Sequence, residues 1–349
     1  MCFTFLHAAD LHLGSPFTGL ALRDETLAQR FAKASRDAFS NLVSRAIEEH
    51  VSFVVIAGDI YDGEWKDTSI GLFFNREIAR LDRAGIQVFV LKGNHDAESV
   101  VTRAISLPGN VFQFPTTPKT VRIEELEVAL HGRSFSDRAM TENIVLDYPD
   151  PVPGWFNIGV LHTSCEGRPG HANYAPCAVS QLKSLDYQYW ALGHVHEYEE
   201  LAWDPWIVFP GNLQGRSIRE CGPKGAVLVD VADGRVAAVR RLIVDQARWA
   251  VVAVDLDGIS EGSEALQKIE DEIRPATEQA EGRLLAVRVH LTRAAALNHA
   301  IKADPRSFSD EVQAAADRCG EDVWVEGLRI EAAETPVFTS SSDAVGSLC

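Results

Sequence analysis

The stretch Tyr189-Trp190-Ala191-Leu192-Gly193-His194-Val195-His196 decides how this chain reads. An apolar run of strand character ends at a glycine, and two histidines one residue apart follow at once. Four other segments repeat the arrangement. They are Asp10-Leu11-His12 after Phe3–Ala8, Gly58-Asp59-Ile60-Tyr61-Asp62 after Ser52–Ile56, Gly93-Asn94-His95-Asp96 after Ile86–Leu91, and His162-Thr163 after Asn157–Leu161. Alternate residues of an extended backbone share a side, so Asp10 with His12, and His194 with His196, are expected to point together. Glycines at 58, 93 and 193 are expected to let the chain turn tightly at the strand ends. D-x-H alone arises by chance, and G-N-H-D alone suits a turn. Five such segments at the same place relative to a strand predict a single polar cluster. Imidazole, carboxylate and amide side chains together suit Mn, Fe or Zn better than thiolate-seeking metals.

Between the first two strands, Phe31, Ala34, Ala38, Leu42, Ala46 and Ile47 recur at helical spacing and predict a helix over Thr26–His50. Ile70–Leu81 gives a second. Strands alternating with helices predict an α/β sheet, with ligands bound beyond the carboxyl ends of its strands. Closely spaced strands follow from Thr120 to Ala129 and from Ala202 to Val244, punctuated by Pro210-Gly211-Asn212 and Ala232-Asp233-Gly234. These are expected to form the second sheet of a β-sandwich flanked by helices. Beyond Asp245, strands at Trp249–Asp255, Leu284–Leu291 and Val323–Ile330 and helices at Glu264–Ala280 and Phe308–Arg318 predict a small α+β unit. The expected organisation is a domain over 1–245, a second over 246–335, and a disordered tail over 336–349 that has no periodicity.

The 349 residues hold 33 Lys+Arg against 50 Asp+Glu, a formal charge of −17, of which −9 falls in residues 246–349. A chain that grips nucleic acid by overall charge is usually basic, and that class is excluded. No apolar run reaches the length of about 18 residues that a membrane span requires. The N-terminal Met1-Cys2-Phe3-Thr4-Phe5-Leu6-His7 has no basic leader, so a signal peptide is not expected. Six scattered cysteines without a C-x-x-C pair argue against a disulfide framework or zinc knot, and a cytoplasmic setting is expected.

The order D-x-H, G-D-x-x-D, G-N-H-D, H, G-H-x-H resembles the calcineurin-like metallophosphoesterase superfamily over about residues 1–245. Residues 5–17, 189–196 and 210–216 resemble more closely the SbcD-type nucleases of double-strand-break repair, and among these the YhaO-type bacterial DNA repair exonucleases. The resemblance implies an α/β fold, a two-sheet metallophosphoesterase sandwich with a small C-terminal α+β capping domain that presents DNA. It implies one metal held by Asp10, His12 and His196, a second by Asn94, His162 and His194, and Asp59 bridging the two. Two divalent ions, Mn foremost with Fe or Zn as alternatives, would activate water for in-line attack on phosphorus. His95 is implied as proton donor to the leaving oxygen, and Asp62 as the carboxylate that orients it. Asp96 reads as a structural residue or as one that supports a ligand from behind.

Arg216 and Arg219, within Gln214–Glu220, are candidates to contact phosphate. Arg133, Arg168 and Lys224 lie in loops near the motif segments and read as solvated charges, with contact to a phosphate backbone as the alternative. His7, His131 and His171 read as strand-end polar residues, with contact to phosphate or to a ligand as the alternative. The function implied is a metal-dependent exonuclease cleaving DNA ends, working as a homodimer with an SMC-like coiled-coil ATPase of SbcC type. In that family a helical ATPase-docking segment follows the small domain; the Ser-rich residues 336–349 show no such period. The same motifs serve hydrolysis of a small phosphodiester or phosphomonoester, because such a metal centre recognises phosphate rather than the leaving group. A non-enzymatic scaffold with a vestigial site is the remaining reading. Two divalent cations would take the charge from −17 to −13 and make the site a local attractor for phosphate.

Overall fold

Strands buried on both faces are apolar throughout, and Phe53–Ile56 is buried at all four positions. A computed structural model describes residues 2–15, 25–62, 68–98, 106–167 and 173–331. The expected disordered tail, Arg168 and His171 lie outside the described residues. In order the chain forms β1 (Cys2–Ala8), α1 (Glu25–Glu48), β2 (Phe53–Ile56), α2 (Thr68–Arg83), β3 (Gln87–Val90), α3 (Asn94–Glu98) and β4 (Val111–Gln113). There follow β5 (Lys119–Ile123), β6 (Val128–Gly132), β7 (Phe156–His162), α4 (Val179–Lys183) and β8 (Tyr189–Gly193). Next come β9 (Glu199–Trp203), β10 (Trp206–Phe209), β11 (Gly225–Ala232) and β12 (Arg235–Ile243).

Two mixed six-stranded sheets result, in the orders β12-β11-β1-β2-β3-β4 and β5-β6-β7-β8-β10-β9. In the first, β1 to β4 run parallel; in the second, β6, β7, β8 and β10 do. The carboxyl ends of β1, β2 and β3 and those of β7 and β8 are where the polar segments begin. Residues 225–243 were expected in the second sheet, but β11 pairs antiparallel with β1 and carries β12 with it into the first. The free edge of β1 needs a partner, and the run Gly225–Val229, buried at every position, supplies one that tolerates burial on both faces. Conversely β7, in sequence one of the α/β strands, belongs to the second sheet.

The space between the sheets is filled by aromatic and β-branched side chains, with Phe5 stacked on Phe53 at 5.0 Å. On the outer side of the first sheet, α1 and α2 bury Ala38, Leu42, Phe74 and Ile78. On the outer side of the second, Trp190 lies over Gly159, where an added Cβ would meet the indole at 2.3 Å. The chain divides into two compact units, Met1–Ala250 with Gly282–Ala286, and Val251–Glu281 with Val287 onward. A third sheet joins β13 (Ala247–Asp255), β14 (Leu284–Thr292) and β15 (Val323–Ile330). In the second unit, α5 (Gly262–Gln279) and α7 (Pro305–Asp317), separated in sequence from each other by α6 (Asn298–Ala303), bury Ile269, Ile273, Val312 and Ala315. Among the described residues, no helix is long and apolar enough to cross a membrane.

Candidate metal centre

The loops after β1 and β2 are zipped together by backbone hydrogen bonds. The N–H groups of Asp10, His12 and Leu13 donate to the carbonyls of Gly58, Asp59 and Ile60 at 3.0, 3.0 and 2.9 Å. This pairing replaces the extended backbone expected from sequence. Asp10, His12 and Asp59 have φ of 51°, 42° and 53°, and His194 has 101°. These are left-handed conformations that non-glycine residues avoid, held here because both loops fix them and concentrated where chemistry would occur. The His194 N–H donates to both Asp10 carboxylate oxygens, at 3.2 and 2.9 Å, which ties the end of β8 to that of β1.

Two of the glycines serve close approach rather than turning. Gly93 and Gly193 do not take positive φ, but a Cβ at Gly93 would lie 2.2 Å from Asp59 Oδ1, and one at Gly193 would lie 2.0 Å from the Ala57 carbonyl. Asp96 is a strut. Its carboxylate accepts from the N–H groups of Ile60, Tyr61 and Gly93 at 3.1, 3.0 and 3.2 Å, joining the β2 loop to the β3 loop. Burial and the nearby Asp59 push its pKa up to about 7.

Around this frame electron-pair donors converge. His12 Nε2 and His196 Nε2 lie 3.1 Å apart, and His12 Nε2 is 4.0 Å from Asp59 Oδ2. His162 Nδ1 donates to the Ala57 carbonyl at 2.9 Å, which turns Nε2 towards Asn94 Oδ1 at 3.0 Å and Asp59 Oδ2 at 3.5 Å. The groups Asp10/His12/His196 and Asp10/Asp59/His162 each bring their ligand atoms within 4.8 Å of one another. The His194 ring lies edge-on to His162 at 5.2 Å and to Tyr174 at 5.6 Å. Among the described residues, buried His12 Nδ1 has no hydrogen-bond partner. The polar contacts of this buried ring therefore run through Nε2, which faces His196 Nε2 and the Asp59 carboxylate and is the atom a metal would take.

The electrostatics agree with a site built for positive charge. Burial works against a charged His162 ring, yet Asp59 and Asp10 push its pKa up to about 9. Burial also opposes ionisation of Asp59, but His162 and His95 hold it below the usual carboxylate range. Asp10 is raised by burial, with His162 and His196 working the other way. His12 is driven well below its ordinary value by burial, and then by Arg216 and the neighbouring histidines, all of which disfavour a charged ring. The residues present therefore fit divalent cations: carboxylates, imidazoles and an amide oxygen share one floor, and the carboxylates that favour a proton on His162 would equally favour a cation in its place.

His95 stands at the rim. Its backbone N–H donates to Asp59 Oδ1 at 3.0 Å, and its Nδ1 lies 3.1 Å from Asp62 Oδ1. Burial lowers its pKa, but Asp62 and Asp59 more than compensate, and the net shift is upward. Asp62 Oδ2 accepts from Ser15 Oγ at 2.8 Å, with Arg216 Nη1 4.0 Å away. Arg216 thus joins the cluster. Arg219 does not: it is exposed, and its backbone N–H turns to Ser217 Oγ at 3.3 Å.

Sequence reasoning missed Glu220 as a site residue. Its Oε1 lies 2.7 Å from His196 Nδ1, and its pKa is depressed: burial would raise it, but His196 and Arg216 hold it down. A lone glutamate in a loop carries no periodic signal, and only the fold brings it to the histidine. Lys224 is buried, donating to the His196 carbonyl at 3.0 Å and to Glu197 at 2.6 Å, and is not the solvated charge expected. Arg133 is bound to the Thr116 carbonyl and Asp147. His131 lies between Thr120 and Asn157, away from the cluster.

Residues 3–198 match the calcineurin-like phosphoesterase family, and residues 249–333 match the middle domain of metallophosphoesterase YhaO. An uncharacterized metallophosphoesterase YhaO of Bacillus subtilis is 34% identical over 273 residues, 77% of this chain and 67% of its own. The DNA double-strand break repair protein Mre11 of Sulfurisphaera tokodaii is 26% identical over 274 residues, 73% of this chain and 66% of its own. That of Haloferax volcanii is 27% identical over 279 residues, 77% of this chain and 57% of its own. The chain spans about two thirds of the first two relatives and less of the third.

Proposed function

The chain belongs to the calcineurin-like metallophosphoesterase family, and on that premise we propose that it is a two-metal phosphodiester hydrolase that cleaves DNA ends in repair. The observation that carries this is the convergence of His12 Nε2, His196 Nε2, His162 Nε2, Asn94 Oδ1 and the Asp59 carboxylate at the ends of five strands. Calcineurin-like phosphoesterases bind divalent metals, and the assignment made from sequence is kept: Asp10, His12 and His196 for one ion, Asn94, His162 and His194 for the other, Asp59 for both. When bound, such ions supply an activated water at neutral pH and offset charge on the phosphate oxygens.

The chain's own groups do the rest. Asp62 accepts from His95 Nδ1–H and leaves Nε2 to protonate the departing oxygen, and Asp62 and Asp59 shift the ring upward, towards the protonated form that role needs. Arg216, beside Asp62 and His196, is placed to bind a phosphate of the strand. The DNA substrate is supported by the relatives described as DNA double-strand break repair proteins. Mn as the metal, a cytoplasmic setting, a homodimer and an SbcC-type ATPase partner complete the proposal.

The test is cleavage of end-labelled single- and double-stranded DNA with and without Mn2+, beside a small aryl phosphodiester. Metal-dependent shortening of labelled DNA, lost in His95→Asn, is expected. Hydrolysis of the aryl diester with every DNA end left intact would assign the chain to small phosphoesters instead.

A further inference from the structure

The bonds of Glu220 divide between its two oxygens. Oε2 accepts from the Asn212 amide at 3.0 Å and the Arg216 backbone N–H at 2.7 Å, and so shapes the turn. Oε1 faces the site, 2.7 Å from His196 Nδ1 and 3.1 Å from Arg216 Nη2. The turn has other anchors. Gln214 Oε1 accepts from the N–H groups of Gln246 and Ala247 at 2.8 and 3.1 Å, and Trp249 Nε1 donates to the Gly215 carbonyl at 3.0 Å.

The short distance to Nδ1 fixes a proton. A bare Nδ1 would set its lone pair against a carboxylate oxygen at 2.7 Å, so Nδ1 carries the hydrogen and Nε2 carries the lone pair. That lone pair lies 3.1 Å from His12 Nε2, inside the ligand cluster. Arg216 pulls the other way. Its Nη2 is 3.3 Å from the same Nδ1, and a guanidinium there favours the tautomer with Nδ1 accepting and Nε2 protonated, which would close the ligand atom. The carboxylate settles the contest by taking both hydrogens.

We propose that Glu220 is a positioning residue that selects the Nδ1–H tautomer of His196, keeping Nε2 open to metal, and that it aims Arg216 with the same oxygen. The proposal rests on the metal-centre reading above. Glu220→Gln tests it sharply. The amide must put its NH2 against donors on one side or the other. On the site side the histidine can change tautomer and the Arg216 guanidinium can swing away on its flexible side chain. The Arg216 backbone N–H on the other side can neither reverse nor withdraw, so the NH2 turns to the site and Nε2 becomes protonated.

Two measurements decide the matter. Calorimetric titration of metal-free protein with Mn2+ should give two bound ions in the wild type, and in Glu220→Gln one of the two should bind 10–100-fold more weakly, the usual loss when a partner of a ligating histidine is removed. Imidazole 15N shifts of metal-free wild type at pH 8, with His196 assigned by comparison with His196→Asn, should show Nδ1 protonated and Nε2 bare. This second measurement needs no folded Glu220 variant. A wild-type His196 protonated at Nε2, or a Glu220→Gln protein that binds both ions unchanged, overturns the proposal alone. Wild-type protein that binds no Mn2+ overturns the metal-centre reading itself.

Discussion

Lowering the pH from 8 to 5 should destabilise the first unit by about 2 kcal/mol through one side chain, His7. The ring is fully buried within β1, its Nε2 3.0 Å from the Leu192 carbonyl and its Nδ1 2.9 Å from the Tyr189 hydroxyl. It therefore ties the first sheet to the second just beneath Gly193 and His194. Burial lowers its pKa from 6.5 to about 3, the Leu192 bond offsetting only part of the effect. The unfolded chain takes up a proton as pH falls below 6.5 and the folded one does not until about 3, so stability is full above 6.5 and lost across that interval. The loss is about 2 kcal/mol at pH 5 and saturates near 5 kcal/mol below pH 3. Urea unfolding with chelator present, followed by fluorescence of buried Trp190 and Trp249, measures it at each pH. His7→Gln keeps a donor and an acceptor but cannot titrate, so its stability should fall about 2 kcal/mol less than that of the wild type between pH 8 and pH 5. Equal losses in the two proteins would refute the assignment of a neutral, latched His7.

Three further substitutions probe the frame. Gly193→Ala places a Cβ 2.0 Å from the Ala57 carbonyl and 2.9 Å from His162 Nδ1, so thermal denaturation should show a loss of about 3 kcal/mol or more, with hydrolysis abolished. Asp96→Ala strips three backbone N–H groups of their acceptor, and at about 1–3 kcal/mol for each buried donor its chemical denaturation midpoint should fall steeply. Arg216→Ala should weaken DNA cleavage more than cleavage of a small aryl phosphodiester in steady-state assays; equal losses would remove Arg216 from substrate contact.

Much of this was legible because burial and chemistry leave different marks. Apolar runs such as Phe53–Ile56 announce strands, and polar residues placed directly after them announce a site beyond the carboxyl ends. What sequence does not encode locally was missed. The pairing of β11 with β1 joins residues 226 positions apart, as at Thr4 and Asp230, and no turn signal between them specifies which sheet receives the hairpin. Spacing suggested that Asp10 and His12 share a side of a strand; the backbone instead takes left-handed conformations fixed by the β2 loop. Gly193 looked like a turn residue because a close approach to Ala57 leaves no trace in one chain segment. Arg216 and Arg219 are equivalent as letters, and only the fold turns one inward. Glu220 is legible only once His196 is beside it.

The most direct measurement is the count of Mn2+ bound per chain after equilibrium dialysis, by plasma mass spectrometry, in wild type and His95→Asn. Two ions in each, with DNA cleavage lost only in the variant, are expected if the seven ligands hold the metals and His95 serves the leaving oxygen. Fewer than two ions in the wild type, or loss of an ion on substituting His95, would contradict the two-metal centre as assigned.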